Sequence, residues 1–201
     1  MIHTLIVPGV GGSQYQHWQS WLQRQLMSSS RVQQQDWNSP ILANWVENFV
    51  HSVAKIDEPI QVVAHSFGCL TSLAALNQYP ELAKKIKKLI LVAPANPARF
   101  GEQGFARDSI GNYAAYFHSL KVTLPTEMII SENDPWLSFS DAQALAQAWG
   151  IKPRNLGKVG HINVDSGFGP FPEIYDHLIL EKESSYISNT DDTKLFFKFA
   201  I

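Results

Sequence analysis

Ile60-Gln61-Val62-Val63-Ala64-His65-Ser66-Phe67-Gly68-Cys69-Leu70 is the stretch from which the fold is read. It opens as a short apolar run, passes through small-x-Ser-x-Gly, and turns helical from Phe67 to Gln78. A strand that meets a serine between small residues and feeds directly into a helix is the setting of a nucleophile elbow, a sharp turn that lifts the serine above the sheet edge. The turn is crowded, so the residues two before and two after the serine must be small. Gly68 meets that need, and Ala64 stands one methyl larger than the glycine usual there. The amino terminus of the following helix lies under the serine, where its free N–H groups favour negative charge. A serine at a helix start also serves simply as a cap; the strand before Ser66 and the helix after it favour the elbow.

Outward from this stretch, apolar runs alternate with amphipathic ones. Strands are predicted over 2–7, 31–37, 60–64, 88–93, 127–131 and 155–159. Helices are predicted over 18–27, 42–56, 67–78, 141–149 and 173–180. The alternation predicts an α/β fold of about six mainly parallel strands with helices on both faces. Residues 96–120 form a long, irregular excursion carrying Arg99, Arg107 and several aromatics. Connections of that length are more often functional than idle. The organisation expected is one domain over 1–183 and a tail over 184–201, docked or frayed.

Composition narrows the function classes. In 201 residues, 45% are hydrophobic and 17% charged, which excludes a disordered chain. Lys and Arg number 16 against 18 Asp and Glu, so no basic excess exists to neutralise a nucleic-acid backbone. The single Cys69 makes neither an internal disulfide nor a multi-cysteine zinc site, and it reads as a packing residue. No H-E-x-x-H string points to a metal. No run approaches the roughly 18 apolar residues of a membrane span, and the first apolar run is too short for a signal-peptide core. The expectation is a soluble, cytoplasmic protein without metal or organic cofactor.

A reactive serine needs a base, and the base an orienting acid, in the chain order Ser, acid, His. Three histidines follow Ser66: His118, His161 and His177. His161 leaves a predicted strand through Gly160, which places it on the rim of an open sheet. His118 lies in the irregular excursion and His177 on a helix, so His161 is the candidate base. For the acid, Asp134 in Ser131-Glu132-Asn133-Asp134-Pro135-Trp136 sits in a turn after a strand. Glu132 and Asp165 are its competitors, and Asp-Pro is also an ordinary turn former. Two donors must hold the oxyanion. Phe67 N–H is one candidate, and Val10 N–H, in Pro8-Gly9-Val10-Gly11-Gly12-Ser13, is the other. That loop lacks the spacing of a phosphate cradle.

These residues carry a resemblance. The chain resembles the retinoblastoma-binding-protein-9 and YdeN-like serine hydrolases, small members of the α/β-hydrolase superfamily. The likeness rests on Pro8-Gly9-x-Gly11-Gly12-Ser13, Asp36-Trp37-x-x-Pro40 with Trp45, Ala64-His65-Ser66-Phe67-Gly68, and Asp134-Pro135-Trp136. Gly160-His161-Ile162-Asn163-x-x-Ser166-Gly167-x-Gly169-x-x-Pro172 is its most specific string. The resemblance covers residues 1 to 180. It implies a Ser66–Asp134–His161 triad, little or no cap, and cleavage of ester-like or amide-like bonds in a small-molecule acyl substrate. The alternative is a catalytically idle protein that uses the same fold to hold a partner. No protein partner is identified from the sequence.

Overall fold

The computed structural model describes residues 1–99 and 112–180. Six strands form one sheet: β1 (His3–Val7), β2 (Ser29–Arg31), β3 (Ile60–Ser66), β4 (Ile86–Pro94), β5 (Thr126–Ile130) and β6 (Arg154–Asn155). Their spatial order is β2-β1-β3-β4-β5-β6, and every neighbouring pair is parallel. The helices are α1 (Trp18–Gln25), α2 (Leu42–Ala54), α3 (Phe67–Gln78), α4 (Tyr113–Ser119) and α5 (Phe139–Trp149).

Side chains alternate across the strands, and each face is covered. Leu5, Val7, Val62, Ala64, Leu89, Leu91, Met128 and Ile130 join the core under α2, α3 and α5. Ile6, Val63, Ile90, Val92 and Ile129 face the opposite way, against Trp18 and Leu22 of α1, Ile162, Phe171 and Ile174. Coverage on both faces explains why β3 and β4 read as continuous apolar runs rather than alternating ones. In α2 the buried residues Leu42, Trp45, Val46, Phe49 and Val53 repeat at helical spacing and turn one stripe inward. Helix α3 is buried at every position from Phe67 to Ala75, held between sheet and α2.

Three predicted elements are displaced. The second strand lies at Ser29–Arg31 rather than 31–37, because Asp36 Oδ1 accepts from the Asn38 and Ser39 amides and turns the chain. The last strand stops at Asn155, whose Oδ1 takes the Gly157 amide, with Gly157 at φ +78°. The last helix is replaced by 3-10 turns over Pro172–His177, after which Gln61 clasps both the amide and the carbonyl of Ile179. Part of the 96–120 excursion is ordered into α4, capped by the Asn112 side chain and anchored where Trp149 Nε1 donates to Phe117 O. Residues 100–111 of that excursion, including Arg107, and the tail 184–201 lie outside the described residues. No described helix is long and apolar enough to cross a membrane.

Candidate active site

Strand β1 has β2 on one side and β3 on the other, so the direction of winding reverses between β1 and β3. Open parallel sheets bind ligands outside the carboxyl ends of the strands at such a reversal. The four loops that matter here all leave carboxyl ends. Gly9 and Val10 follow β1, Ser66 ends β3, Asp134 follows β5 and His161 follows β6.

The elbow takes its shape from close approach. Ser66 has φ 54° and ψ −122°, a conformation that costs a side-chain-bearing residue of order 1–3 kcal/mol. A Cβ on Gly68 would lie 2.3 Å from Val7 O and 2.6 Å from Pro8 O, so α3 can start against the end of β1 only without one. A Cβ on Gly9 would meet Ser66 Cβ at 2.7 Å and Phe67 N at 3.2 Å, which puts the loop after β1 directly against the elbow. The extra methyl of Ala64 is absorbed in the core, fully buried. The Ser66 hydroxyl makes no capping bond to α3.

That hydroxyl faces His161 instead. Ser66 Oγ lies 3.0 Å from His161 Nε2, and His161 Nδ1 lies 2.8 Å from Asp134 Oδ2. The other carboxylate oxygen of Asp134 accepts from the Trp136 amide at 2.8 Å, so the Asp-Pro turn and the contact to histidine share one group. The side chains of His161 and Asp134 are 8% and 4% exposed, which keeps water from competing for their bond. With the carboxylate accepting at Nδ1, the neutral imidazole carries its proton there and presents Nε2 as an acceptor toward Ser66.

The structure separates the competing residues from this constellation. Glu132 accepts from Asn155 Nδ2. Asp165 lies in the first turn of a 3-10 helix at the cleft wall. His118 is exposed on α4, and His177 is buried between Glu127 and Arg154. Val10 lines the cleft beside Ser66. In its loop Gly11 N–H donates to Trp37 O and Gly12 N–H to Gly9 O.

Several residues outside the predicted set hold the loops in place. Ser131 Oγ accepts from Val159 N, and Asn133 Oδ1 accepts from Gly160 N, tying the aspartate loop to the histidine loop. His65 Nε2 donates to His161 O at 3.0 Å, and Trp18 Nε1 donates to Ile162 O at 2.8 Å. Gln19 Nε2 bridges Val7 O and Val63 O, and Arg31 Nη1 reaches Gly12 O and Ser13 O. Burial drives the His65 imidazole well below its usual pKa, and it stays neutral. The sequence signal for Ser131 and Asn133 was their position, small polar residues just past a strand end.

Above these groups lies a cleft of about 830 Å³. Among its lining residues, Val10, Tyr15, Trp136 and Val164 are exposed apolar side chains. The Trp136 ring stands edge-on to His161, and the Arg99 guanidinium lies over it, 4.5 Å from the ring centroid. Among the described residues, no group of three His, Cys, Asp or Glu is placed to hold a metal ion.

Residues 4–179 match the sequence profile of the serine hydrolase family. The chain belongs to that family. A Bacillus subtilis protein described as the hydrolase YdeN is 28% identical to it over 181 residues, covering 86% of this chain and 92% of the relative. The crystal structure of a YdeN-like hydrolase from Pectobacterium atrosepticum superposes with a TM-score of 0.75 at 32% identity, over 88% of each chain. Est1E of Butyrivibrio proteoclasticus shares the fold at 19% identity and a TM-score of 0.58, covering 81% of this chain and 82% of its own. The serine hydrolase reading of the sequence and its α/β-hydrolase fold are thus both shown.

Proposed function

We propose that this serine hydrolase cleaves ester-like or amide-like acyl bonds of a small substrate through Ser66, His161 and Asp134. The observation that carries the reading is the continuous contact from Ser66 Oγ to His161 Nε2 and from His161 Nδ1 to Asp134 Oδ2, at 3.0 and 2.8 Å.

In the first half-reaction Ser66 Oγ attacks the carbonyl carbon while its proton passes to His161 Nε2. Asp134 stabilises the imidazolium without taking the proton. The carbonyl oxygen, now an anion, accepts from Phe67 N–H and Val10 N–H; losing one such donor typically costs about 3 kcal/mol of barrier. Collapse of the tetrahedral species expels the alcohol or amine, which receives the proton from His161, and leaves an acyl-Ser66 ester. Water then repeats the sequence, giving its proton to His161 and releasing the acid. Nucleophile, base and oxyanion donors are all supplied by the chain.

A fluorophosphonate probe tests this directly. Labelling confined to Ser66, with 4-nitrophenyl acetate turnover lost in Ser66→Ala, is the expected result. A folded parent protein that neither reacts with the probe nor turns over the ester would leave only a protein that holds a partner on a hydrolase fold.

A further inference from the structure

Arg31 ends β2, beside the loop that leaves β1, and its side chain is half-buried. Its Nη1 donates to Gly12 O at 2.8 Å and to Ser13 O at 2.9 Å. Nη2 donates to Ser20 Oγ at 2.7 Å, and that hydroxyl donates in turn to Ser13 O at 2.6 Å. Nε donates to Gln23 Oε1 at 2.9 Å. Every acceptor is neutral, so the positive charge is not cancelled by a carboxylate. Its field reaches the cleft wall, where burial first, then Arg31 and His161, bring the His17 pKa down to about 3.

The two carbonyls that Arg31 grips close a turn. Gly12 N–H donates to Gly9 O at 3.1 Å, and Gly11, third in that turn, has φ +82°, as in a type II turn. Gly9 O and Val10 N–H belong to one planar trans peptide and point in opposite directions. Whatever holds Gly12 therefore aims Val10 N–H. Gly11 and Gly12 both have positive φ, and two successive glycines do not fix one conformation by themselves. The hold comes from outside the turn. Trp37 supplies part of it, since its carbonyl takes the Gly11 amide and a Cβ on Gly12 would lie 2.8 Å from its ring. Arg31 supplies the rest.

We propose that Arg31 is a positioning residue of the oxyanion hole: by gripping Gly12 O and Ser13 O it keeps the Gly9–Gly12 turn closed and Val10 N–H directed at the developing anion. This rests on the hydrolase reading above. Arg31 does not line the cleft, so it acts through the turn, and its contribution grows only as the carbonyl oxygen gains charge. Gln19 holds the two ends of the loop independently, through Val7 O and the Ser13 hydroxyl. Without Arg31 the loop therefore stays docked while the turn inside it loosens. The loss of kcat should approach but not exceed that of one whole donor, about 10- to 100-fold.

The test compares the parent with Arg31→Met, which keeps the apolar stem and loses the fork. The substrates are 4-nitrophenyl acetate and its thiono analogue, O-(4-nitrophenyl) thionoacetate, with acylation followed in single turnover. Sulfur accepts hydrogen bonds poorly, so the thionoester draws little on the oxyanion donors, whereas both substrates need Ser66 and His161 alike. The expected result is a kcat loss on the oxygen ester with KM nearly unchanged, and an oxygen-to-sulfur rate ratio about fivefold or more below the parent's. A smaller fall in that ratio, whether from equal losses on both substrates or from parental rates, overturns the proposal and leaves Arg31 a structural role only. Should Arg31→Met show no urea transition, Arg31→Lys decides by the same threshold, because an ammonium keeps the charge but lacks the planar fork. Absence of fluorophosphonate labelling in the parent would instead remove the hydrolase reading, and this inference with it.

Discussion

Gly68→Ala is the sharpest perturbation the elbow offers. The added Cβ would stand 2.3 Å from Val7 O and 2.6 Å from Pro8 O. Real Cβ atoms essentially never approach other atoms within 3.0 Å, so something must give by at least about 0.7 Å at Val7. Val7 cannot retreat easily, since it is paired with Ala64 in the middle of the sheet and its carbonyl is held by Gln19. The start of α3 must move instead, and it carries Ser66 and Phe67. A shift of that size along the Ser66–His161 line opens their 3.0 Å separation to roughly 3.7 Å, beyond a hydrogen bond. The expected outcome is a stability loss of about 1–3 kcal/mol by urea unfolding. The kcat/KM for 4-nitrophenyl acetate should fall by about 100-fold, the scale of a 1 Å misplacement. Gly150→Ala is the control. It sits at φ +71° at the end of α5 with nothing within 4 Å, so it loses about 1 kcal/mol of stability and leaves activity alone. Parental activity and labelling rate in Gly68→Ala would refute the crowding account of the elbow.

Asp134→Asn removes the charge that fixes the His161 tautomer while keeping a similar shape; kcat should drop by about 10⁴-fold, with KM nearly unchanged in steady-state assays. Ser66→Gly and Ser66→Ala should both be inactive, but glycine accepts φ 54° without strain, so its thermal unfolding should report about 1 kcal/mol more stability than alanine's. His17 and His65 both have pKa values lowered by burial. At neutral pH neither state is protonated, whereas below pH about 6.5 the unfolded chain binds protons that the folded one refuses. Stability should therefore fall as pH drops from about 6.5 toward 3, by about 1.4 kcal/mol per pH unit for His17 alone, with His65 adding in the same direction. Urea midpoints at pH 7, 6, 5 and 4 measure the slope, and His17→Asn should flatten it.

What the sequence reveals and what it hides follow from the range of the forces involved. Helix α3 was legible to the residue because Ser66-Phe67-Gly68 is a local steric device, with a helix forced to begin where the elbow ends. The stripe of α2 was legible because amphipathic spacing is also local. Asp134 and His161 were legible as members of loops leaving strands, since each loop announces itself by Pro135 or Gly160. The end of the last strand was not. It stops at the Asn155–Gly157 turn, and the predicted remainder is held out of the sheet ladder where the amides of Val159 and Gly160 bond to Ser131 and Asn133, some 27 residues earlier in the chain. The second strand, predicted over 31–37, ends at Arg31; beyond it Gln34 is buried and accepts from Asn48, and the Asp36 side chain turns the chain. Side chains that pair across the fold leave no periodic trace.

The backbone strain of the molecule is gathered where those long-range bonds converge. Among the described residues, Ser13, Ser66, Ala93 and Ile162 are the non-glycine residues with positive φ. Ser13 follows β1, Ser66 ends β3, Ala93 lies at the end of β4, and Ile162 follows His161. Ile162, at φ +49°, is the most telling, because a β-branched side chain rarely tolerates that conformation. It is held there by full burial against α1, by Trp18 Nε1 on its own carbonyl and by His65 Nε2 on the carbonyl before it. The same turn sets the direction in which the His161 ring leaves the chain. His65 therefore works on both sides of the Ser66–His161 contact. It precedes Ser66 in β3, and it fixes the peptide that carries His161, so a shift in either strand end is felt by both. Strain of this kind persists only where surrounding packing over-determines it. Here the packing that does so consists of the two aromatic donors, His65 and Trp18, lodged between the sheet and α1.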